Sequence, residues 1–147
     1  MKKEVYTVGH SSRSLEELIA ILKDYKISLV VDVRRFPTSR LFPHFKKESL
    51  ERALEENGVK YIWLGDLLGG FREGGYLEYM RSEEFEKGFR RLLDLIESND
   101  RVAILCREKL WFKCHRRFIS DKLVREGYKI IHIIDRGRTY ERRLRGL

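Results

Sequence analysis

The feature that most constrains the fold is a regular alternation of short apolar runs with segments whose apolar residues recur at helical spacing. Five runs rich in β-branched residues predict strands, at 5–8, 27–33, 59–64, 101–106 and 128–134. Four segments of helical spacing predict helices, at 15–25, 47–57, 83–98 and 114–126. Alternating strands and helices imply right-handed parallel crossovers, with helices on both faces of the sheet. We therefore predict one three-layer α/β domain over residues 1–147, with a five-stranded, mainly parallel sheet.

The length and the absence of long apolar runs limit the class of protein. A chain of 147 residues is the usual size of one domain and can bury a full core without cross-links. No apolar run approaches the roughly 20 residues that cross a bilayer, and the first residues lead directly into a strand pattern rather than a signal peptide. We therefore expect a cytoplasmic protein without membrane association. The charged fraction of 37% resembles the surfaces of thermophile proteins.

The formal net charge of +8 is unevenly distributed. Basic residues concentrate at 34–47, at 107–117 and in a basic C-terminal tail over 136–147. Such clusters favour an anionic small molecule or nucleic acid as partner. Basic surfaces are also ordinary in small thermophilic proteins, so both explanations stay open. The sequence carries no signal for an oligomeric state.

Two long connections separate the predicted elements. Residues 35–45 contain two prolines and predict an ordered loop, and residues 65–81 contain four glycines. A connection as long as the second one is more often functional than idle in a compact domain. Its aromatic residues Phe71, Tyr76 and Tyr79 either pack the loop down or stack on a base or sugar.

Polar residues follow three of the predicted strands at the point where each strand ends. They are His10 and Ser11, then Asp32 and Arg34, then Cys106 and Glu108. Because the carboxyl ends of parallel strands meet at one edge, where ligands bind in open α/β sheets, we expect these side chains to line one pocket. The chain returns to the same edge through Cys114, His115 and Arg116 at a helix start, where the helix dipole favours an anion or a thiolate.

The pocket residues suggest chemistry as well as binding. We expect Cys106 or Cys114 to act as a nucleophile if its pKa is lowered, and Glu108 or His115 to move protons. Arginine suits phosphate, and the ligand-binding candidates are His10, Ser11, Asp32, Arg34, Arg72, Cys114 and Arg116. No cofactor and no metal are assigned. A structural role stays open for several of them: His10 as a partner of Asp32, Arg34 in a buried ion pair, and Cys106 as an inert core thiol.

The strand–cysteine–loop–helix order is similar to that of rhodaneses and cysteine phosphatases. Their loop requires an arginine six positions after the cysteine, so that one turn holds the oxyanion. Phe112 and Ser120 occupy those positions after Cys106 and Cys114. This route to phosphatase or sulfurtransferase chemistry is therefore disfavoured.

Three further interpretations compete with an enzyme acting on a phosphate-bearing, nucleic-acid-related ligand. A non-catalytic nucleic-acid-binding module explains the charge but not the cysteines. A zinc site would use Cys106, Cys114, His115 and His10, although their spacing fits no established zinc pattern. A redox pair would join Cys106 to Cys114.

A series of short motifs resembles the domain of unknown function family number 488. It comprises Thr7-Val8-Gly9-His10-Ser11, Asp32-Val33-Arg34, Pro37, Ser39-Arg40, Pro43-His44-Phe45, Leu68-Gly69-Gly70, Tyr79-Met80, Cys106, Glu108 and Cys114-His115-Arg116. The resemblance runs from residue 6 to about residue 133. It implies the α/β fold and the pocket, and it implies no particular reaction. Phe42 departs from the pattern, because relatives often carry Asn at this position.

Overall fold

Six strands form a single sheet in the computed structural model, which describes residues 3–38 and 40–143. The strands are β1 (Glu4–Gly9), β2 (Leu29–Asp32), β3 (Lys60–Trp63), β4 (Val102–Cys106), β5 (Lys129–Asp135) and β6 (Arg138–Arg142). Their order across the sheet is β3-β2-β4-β1-β5-β6. All neighbours pair in parallel except β5 and β6, which are antiparallel. The predicted α/β fold with a mainly parallel sheet is confirmed.

The sheet has six strands rather than the predicted five, because part of the predicted basic tail adds an edge strand. The segment Arg138–Arg142 turns back from β5 through a two-residue hairpin, with Asp135 opposite Arg138. Three of its five residues are charged, which suits a solvent-facing edge and conceals the strand in the sequence. Ser39, together with residues 1–2 and 144–147 of the predicted domain and tail, lies outside the described residues.

In the described part of the chain, six α-helices connect the strands and cover the sheet. They are α1 (Leu15–Asp24), α2 (Lys47–Glu56), α3 (Gly65–Leu68), α4 (Tyr76–Tyr79), α5 (Glu83–Ser98) and α6 (Arg116–Arg125). The four predicted helices correspond to α1, α2, α5 and α6, whereas the connection at 65–81 contains the two short helices. Within residues 3–38 and 40–143, no helix has the length and apolarity that a membrane span requires.

The helices lie on both faces of the sheet, as a parallel topology requires. In β2, Leu29 and Val31 pack into the cluster of α5 and α6, while Val30 packs into the cluster of α1 and α2. Phe85, Phe89, Leu92, Ile119 and Leu123 form the helical side of the first cluster, and Leu18, Ile21, Leu50 and Leu54 that of the second. The last residue of β4, Cys106, faces α5 and α6.

Candidate active site

A cavity of about 670 Å³ opens beyond the carboxyl ends of the parallel strands. Six of the ten predicted site residues line it: His10, Arg34, Cys106, Glu108, Cys114 and His115. The strand register explains this convergence, because Gly9 pairs with Cys106, and Asp32 pairs with Leu105 on the other side of β4. The edge predicted from parallel topology is therefore the edge that carries the cavity.

The other four predicted residues do not line the cavity. Asp32 and Arg116 lie behind its wall, where each contacts a lining residue. Ser11 donates its backbone N–H to the Arg107 carbonyl at 2.8 Å. The Arg72 guanidinium holds the 65–81 connection: it donates to carbonyl oxygens at the end of α3 and stacks 3.9 Å from the centroid of the Tyr79 ring.

Arg116 is fully buried, and its guanidinium contacts a sulfur atom rather than a carboxylate. Nη1 donates to Cys106 Sγ at 2.8 Å and Nη2 donates to the Lys109 carbonyl at 3.0 Å. Across the described part of the chain, no Asp or Glu forms an ion pair with Arg116, and its Nε has no hydrogen-bond partner. A buried cation is costly unless an anion compensates it. The Cys106 thiolate is the group in position to do so.

The two cysteines ionise at very different pH. Burial opposes ionisation of Cys106, but its hydrogen bond with Cys114 and the charge of Arg116 outweigh burial and lower its pKa to about 7. The same hydrogen bond, followed by burial, raises the pKa of Cys114 above its ordinary value. Cys106 therefore carries the thiolate, and Cys114 remains a thiol beside it.

His115 is held as a neutral acceptor next to Cys114. Its Nε2 lies 3.1 Å from the Val33 carbonyl oxygen, so this nitrogen carries the proton. The other nitrogen, Nδ1, is then free to accept, and it lies 3.6 Å from Cys114 Sγ. Burial lowers the pKa of His115 to about 4, which keeps the ring uncharged at neutral pH.

His10 is also neutral, and it contacts a ring rather than the predicted carboxylate. Its Nδ1 lies 3.0 Å from the Ser11 carbonyl oxygen, and its ring centroid lies 4.5 Å from that of Phe45. Burial and then the charge of Arg34 lower its pKa to about 4. The side chain of His10 thus presents an unprotonated Nε2 as a hydrogen-bond acceptor.

Asp32 and Arg34 form a buried ion pair that supports the wall of the cavity. The Arg34 Nε and Nη2 atoms donate to the two Asp32 oxygens at 2.9 and 2.7 Å, and Nη1 donates to the Phe45 carbonyl at 2.7 Å. The Tyr61 hydroxyl completes the network by donating to Asp32 Oδ2 at 2.5 Å. This is the structural alternative that the sequence left open for Arg34. Tyr61 was not a candidate, because a tyrosine in a strand is ordinary.

Gly9 allows two backbone segments to approach each other. A Cβ atom at this position would lie 1.8 Å from the Glu108 carbonyl oxygen. Beyond the strands, His10 and Ser11 continue the pairing by donating their N–H groups to the carbonyls of Cys106 and Arg107. The lack of a side chain at Gly9 thus lets the loop that follows Cys106 pack directly against the end of β1.

The outer part of the cavity is positively charged. Arg35, Arg40, Arg107 and Lys113 line it, and Glu108 is the acidic residue among the lining groups. The basic character of 34–47 and 107–117 was visible in the sequence, but the side chains that face one cavity were not. The described residues contain no group of three or more His, Cys, Asp and Glu that could hold a metal, so no cluster supports the zinc alternative.

A family model matches most of the chain. The family model described as Domain of unknown function DUF488 matches residues 14–123, which are 110 of the 147 residues. The chain belongs to this family. The DUF488 match includes the site residues from Asp32 to Arg116, whereas Gly9, His10 and Ser11 precede it. No curated protein and no solved structure matches the chain.

Membership in DUF488 confirms the resemblance seen in the motifs, over a span shorter at both ends than residues 6–133. The description of DUF488 names no activity.

Proposed function

We propose that the protein is an enzyme in which the Cys106 thiolate attacks a phosphate-bearing substrate held in the cavity. The observation that carries the proposal is the buried guanidinium of Arg116, which lies 2.8 Å from Cys106 Sγ. An inert core thiol needs no cation beside it, because a neutral cysteine packs as a small apolar group. A thiolate does need one, and thiolates are the reactive form of cysteine.

The charge of the cavity favours an anionic substrate. Arg35, Arg107 and Lys113 line the cavity, and the charge of Arg34 is already neutralised by Asp32. Cationic walls concentrate anions and hold them by charge-assisted hydrogen bonds. Arginine suits phosphate because its planar guanidinium can donate two parallel N–H groups to the phosphate oxygens.

The reaction is a two-step displacement. The sulfur lone pair forms a bond to an electrophilic carbon or phosphorus atom of the substrate, and the leaving group departs with its bonding electrons and takes a proton from solvent. Water then attacks the same atom, the bond to sulfur breaks, and its electron pair restores the Cys106 thiolate. Glu108 lines the cavity, and its carboxylate is the group that takes the proton of that water. Cys114, beside the His115 ring, positions the sulfur of Cys106 through their hydrogen bond.

Alkylation of Cys106 tests the proposal. Protein carrying Cys114→Ser is treated with iodoacetamide across a pH series, and the modified peptide is quantified by mass spectrometry. We expect half-maximal reactivity near pH 7, and slower labelling when pyrophosphate occupies the cavity. The matched control is Cys106→Ser, which keeps Cys114 and should show no labelling with a midpoint near pH 7. Reactivity of Cys106 that rises only with an ordinary thiol pKa, or that pyrophosphate leaves unchanged, would contradict the proposal.

A nucleic-acid-binding module without chemistry is the second candidate. It is favoured by the exposed arginines of β6 and of the segment after Cys106, such as Arg107, Arg117 and Arg138. A binding module of this kind does not explain why the buried Arg116 guanidinium donates to Cys106 Sγ. Binding of a labelled oligonucleotide across a salt series separates the two candidates: retention of tight binding by Cys106→Ser, with no labelling midpoint near pH 7 in the wild type, would favour the module.

The proposed chemistry also suits a reducing compartment. A thiolate and a thiol in contact stay reduced in the cytoplasm, and an oxidising compartment would join them. A redox role for Cys106 and Cys114 is the remaining alternative. Counting free thiols before and after exposure to peroxide tests it directly.

A further inference from the structure

Two phenylalanine side chains stand exposed at the mouth of the cavity. Phe36 is 61% exposed and Phe71 is 83% exposed, and both line the cavity. Their ring centroids lie 6.0 Å apart with an interplanar angle of 38°. Exposure of one large apolar side chain is ordinary, but a pair at the entrance of a polar cavity indicates a contact surface.

Phe71 differs in its surroundings from the other aromatic residues of the 65–81 connection. Tyr76 and Tyr79 pack the connection down and donate their hydroxyls to the carbonyls of Leu68 and Leu67, each at 2.7 Å. Phe71 instead adopts a φ of 58°, in the left-handed region that aromatic residues rarely occupy. Because the side chain of Phe71 is exposed, it contributes little to the core. Its backbone is nevertheless held in an unfavourable conformation.

Arg35 contacts both phenylalanines. Its Nη1 donates to the Phe71 carbonyl at 2.5 Å, and its guanidinium carbon lies 5.3 Å from the centroid of the Phe36 ring. The positive end of the side chain thus stays at the mouth, next to the Phe36 ring and the Phe71 carbonyl. The backbone that carries Phe71 is therefore held by the neighbour of Phe36 in the chain.

We infer that this mouth binds a nucleotide unit, with its base on Phe36 and Phe71 and its phosphate among the cationic groups of the cavity. Aromatic side chains bind bases by stacking on their faces, largely without regard to sequence. Arg40, Arg107 and Lys113 line the same cavity and supply the phosphate contacts. The inference rests on the proposed function and specifies its substrate class.

Charge distinguishes this ligand from other occupants of an apolar entrance. A second copy of this chain would bring a net charge of +8 against a cationic rim, so like charges would oppose association. A purely apolar ligand would bring no negative charge to interact with Arg40, Arg107 and Lys113. A nucleotide offers a base that stacks on the aromatic rings and a phosphate that pairs with the cationic side chains.

The same chemistry has two sources, a free nucleotide and a single-stranded nucleic acid. A duplex keeps its bases stacked on each other and offers none to Phe36 or Phe71. The full chain is therefore titrated with adenosine monophosphate, with ribose 5-phosphate, and with a labelled single-stranded oligonucleotide and its duplex. Ribose 5-phosphate keeps the sugar and phosphate but lacks the base.

We expect adenosine monophosphate or the single strand to bind at least about fivefold more tightly than ribose 5-phosphate, which is the lower limit for one stacked base. The double variant Phe36→Ala, Phe71→Ala should lose that factor and bind ribose 5-phosphate as before. Leu77→Ala is the matched control, because Leu77 is 65% exposed and does not line the cavity. A single strand that binds much more tightly than the mononucleotide identifies nucleic acid as the source, and equal affinities identify the free nucleotide.

Three outcomes would overturn the inference, and they are distinguishable. Equal binding of adenosine monophosphate and ribose 5-phosphate removes the base site but leaves the phosphate site and the role of Cys106 intact. Absence of all binding, together with Cys106 labelling that pyrophosphate does not slow, removes the proposed substrate class as well. A dimer in sedimentation experiments that dissociates on Phe71→Ala assigns the surface to a second copy of the chain.

Discussion

Replacement of Arg116 by Met isolates the contribution of the buried cation to the reactivity of Cys106. Methionine keeps an unbranched side chain in the apolar surroundings and removes the charge and the donor to Cys106 Sγ. Burial of the thiol is unchanged by the substitution, and burial acts to raise the pKa of Cys106. Because the hydrogen bond from position 114 still lowers the pKa, we expect the pKa of Cys106 to rise from about 7 toward its ordinary value of 9.0.

The magnitude follows from the two pKa values. The interval between about 7 and 9.0 sets the upper limit of the effect, on the order of 3 kcal/mol in the free energy of ionisation. At pH 7 the thiolate fraction of Cys106 would fall from about one half toward about one hundredth, so alkylation should slow by up to about 50-fold.

An NMR titration of the Cys106 Cβ shift measures the pKa without requiring access of a reagent. The experiment uses a Cys114→Ser background, because serine keeps a hydroxyl donor beside Cys106 and removes the second thiol. Arg117→Met is the matched control: Arg117 is exposed, and its guanidinium lies over the Phe118 ring. If Arg116→Met and Arg117→Met leave Cys106 with the same pKa, the buried guanidinium is not what stabilises the thiolate.

The same substitution changes how stability depends on pH. The pKa of Cys106 is lower in the folded chain than in the unfolded chain, so its contribution to the free energy of unfolding is fully present above pH 9. That contribution, on the order of 3 kcal/mol, is lost as pH falls through about 7. In the Cys114→Ser background we expect this loss in the presence of Arg116 and a clearly smaller one after Arg116→Met. Urea unfolding at a series of pH values measures the difference.

Two further substitutions test the supports of the cavity. Gly9→Ala places a Cβ atom 1.8 Å from the Glu108 carbonyl oxygen and should lower the free energy of unfolding by about 1–3 kcal/mol, whereas Gly137→Ala, with open space around it, should have little effect in thermal unfolding. Asp32→Asn leaves a buried guanidinium without its anion and should cost about 3–5 kcal/mol in urea unfolding. Asp24→Asn, which removes an exposed ion pair, should change little, and equal losses for the two Asp variants would refute the role given to burial.

The location of the site was predictable because it depends on topology rather than on side-chain geometry. A parallel sheet brings the ends of β1, β2 and β4 to one edge, whatever the residues between them. His10, Arg34 and Cys106 could therefore be assigned to one cavity from the strand pattern alone. Prediction of the fold required only the alternation of strands and helices in the sequence.

The partners of the individual arginines were not predictable. Arg72 and Arg116 both occur in polar segments near the site, but one guanidinium binds carbonyls and the other binds a sulfur atom. The difference arises from the path of each side chain in three dimensions, which local sequence does not encode. The pairing of Phe36 with Phe71 has the same origin, because the two residues lie on connections far apart in the chain.

The sixth strand was missed for a different reason. The segment Arg138–Arg142 has few apolar residues, and its pairing with β5 is stabilised by a stack rather than by a core. Trp111 lies against the rings of His132 and Tyr140, with centroids 4.6 and 5.4 Å away. A tryptophan in the loop after Cys106 thus holds the edge strand, a contact between residues that no sequence period connects.

The pairing of a buried cation with a titratable thiolate links chemical damage at the site to the lifetime of the folded chain. A reagent that caps the Cys106 sulfur permanently would leave the Arg116 guanidinium enclosed and without a counter-ion. Covalent capping of Cys106 would therefore lower the melting temperature of the protein and expose it to proteolysis. Capped copies would then be cleared more quickly than uncapped ones.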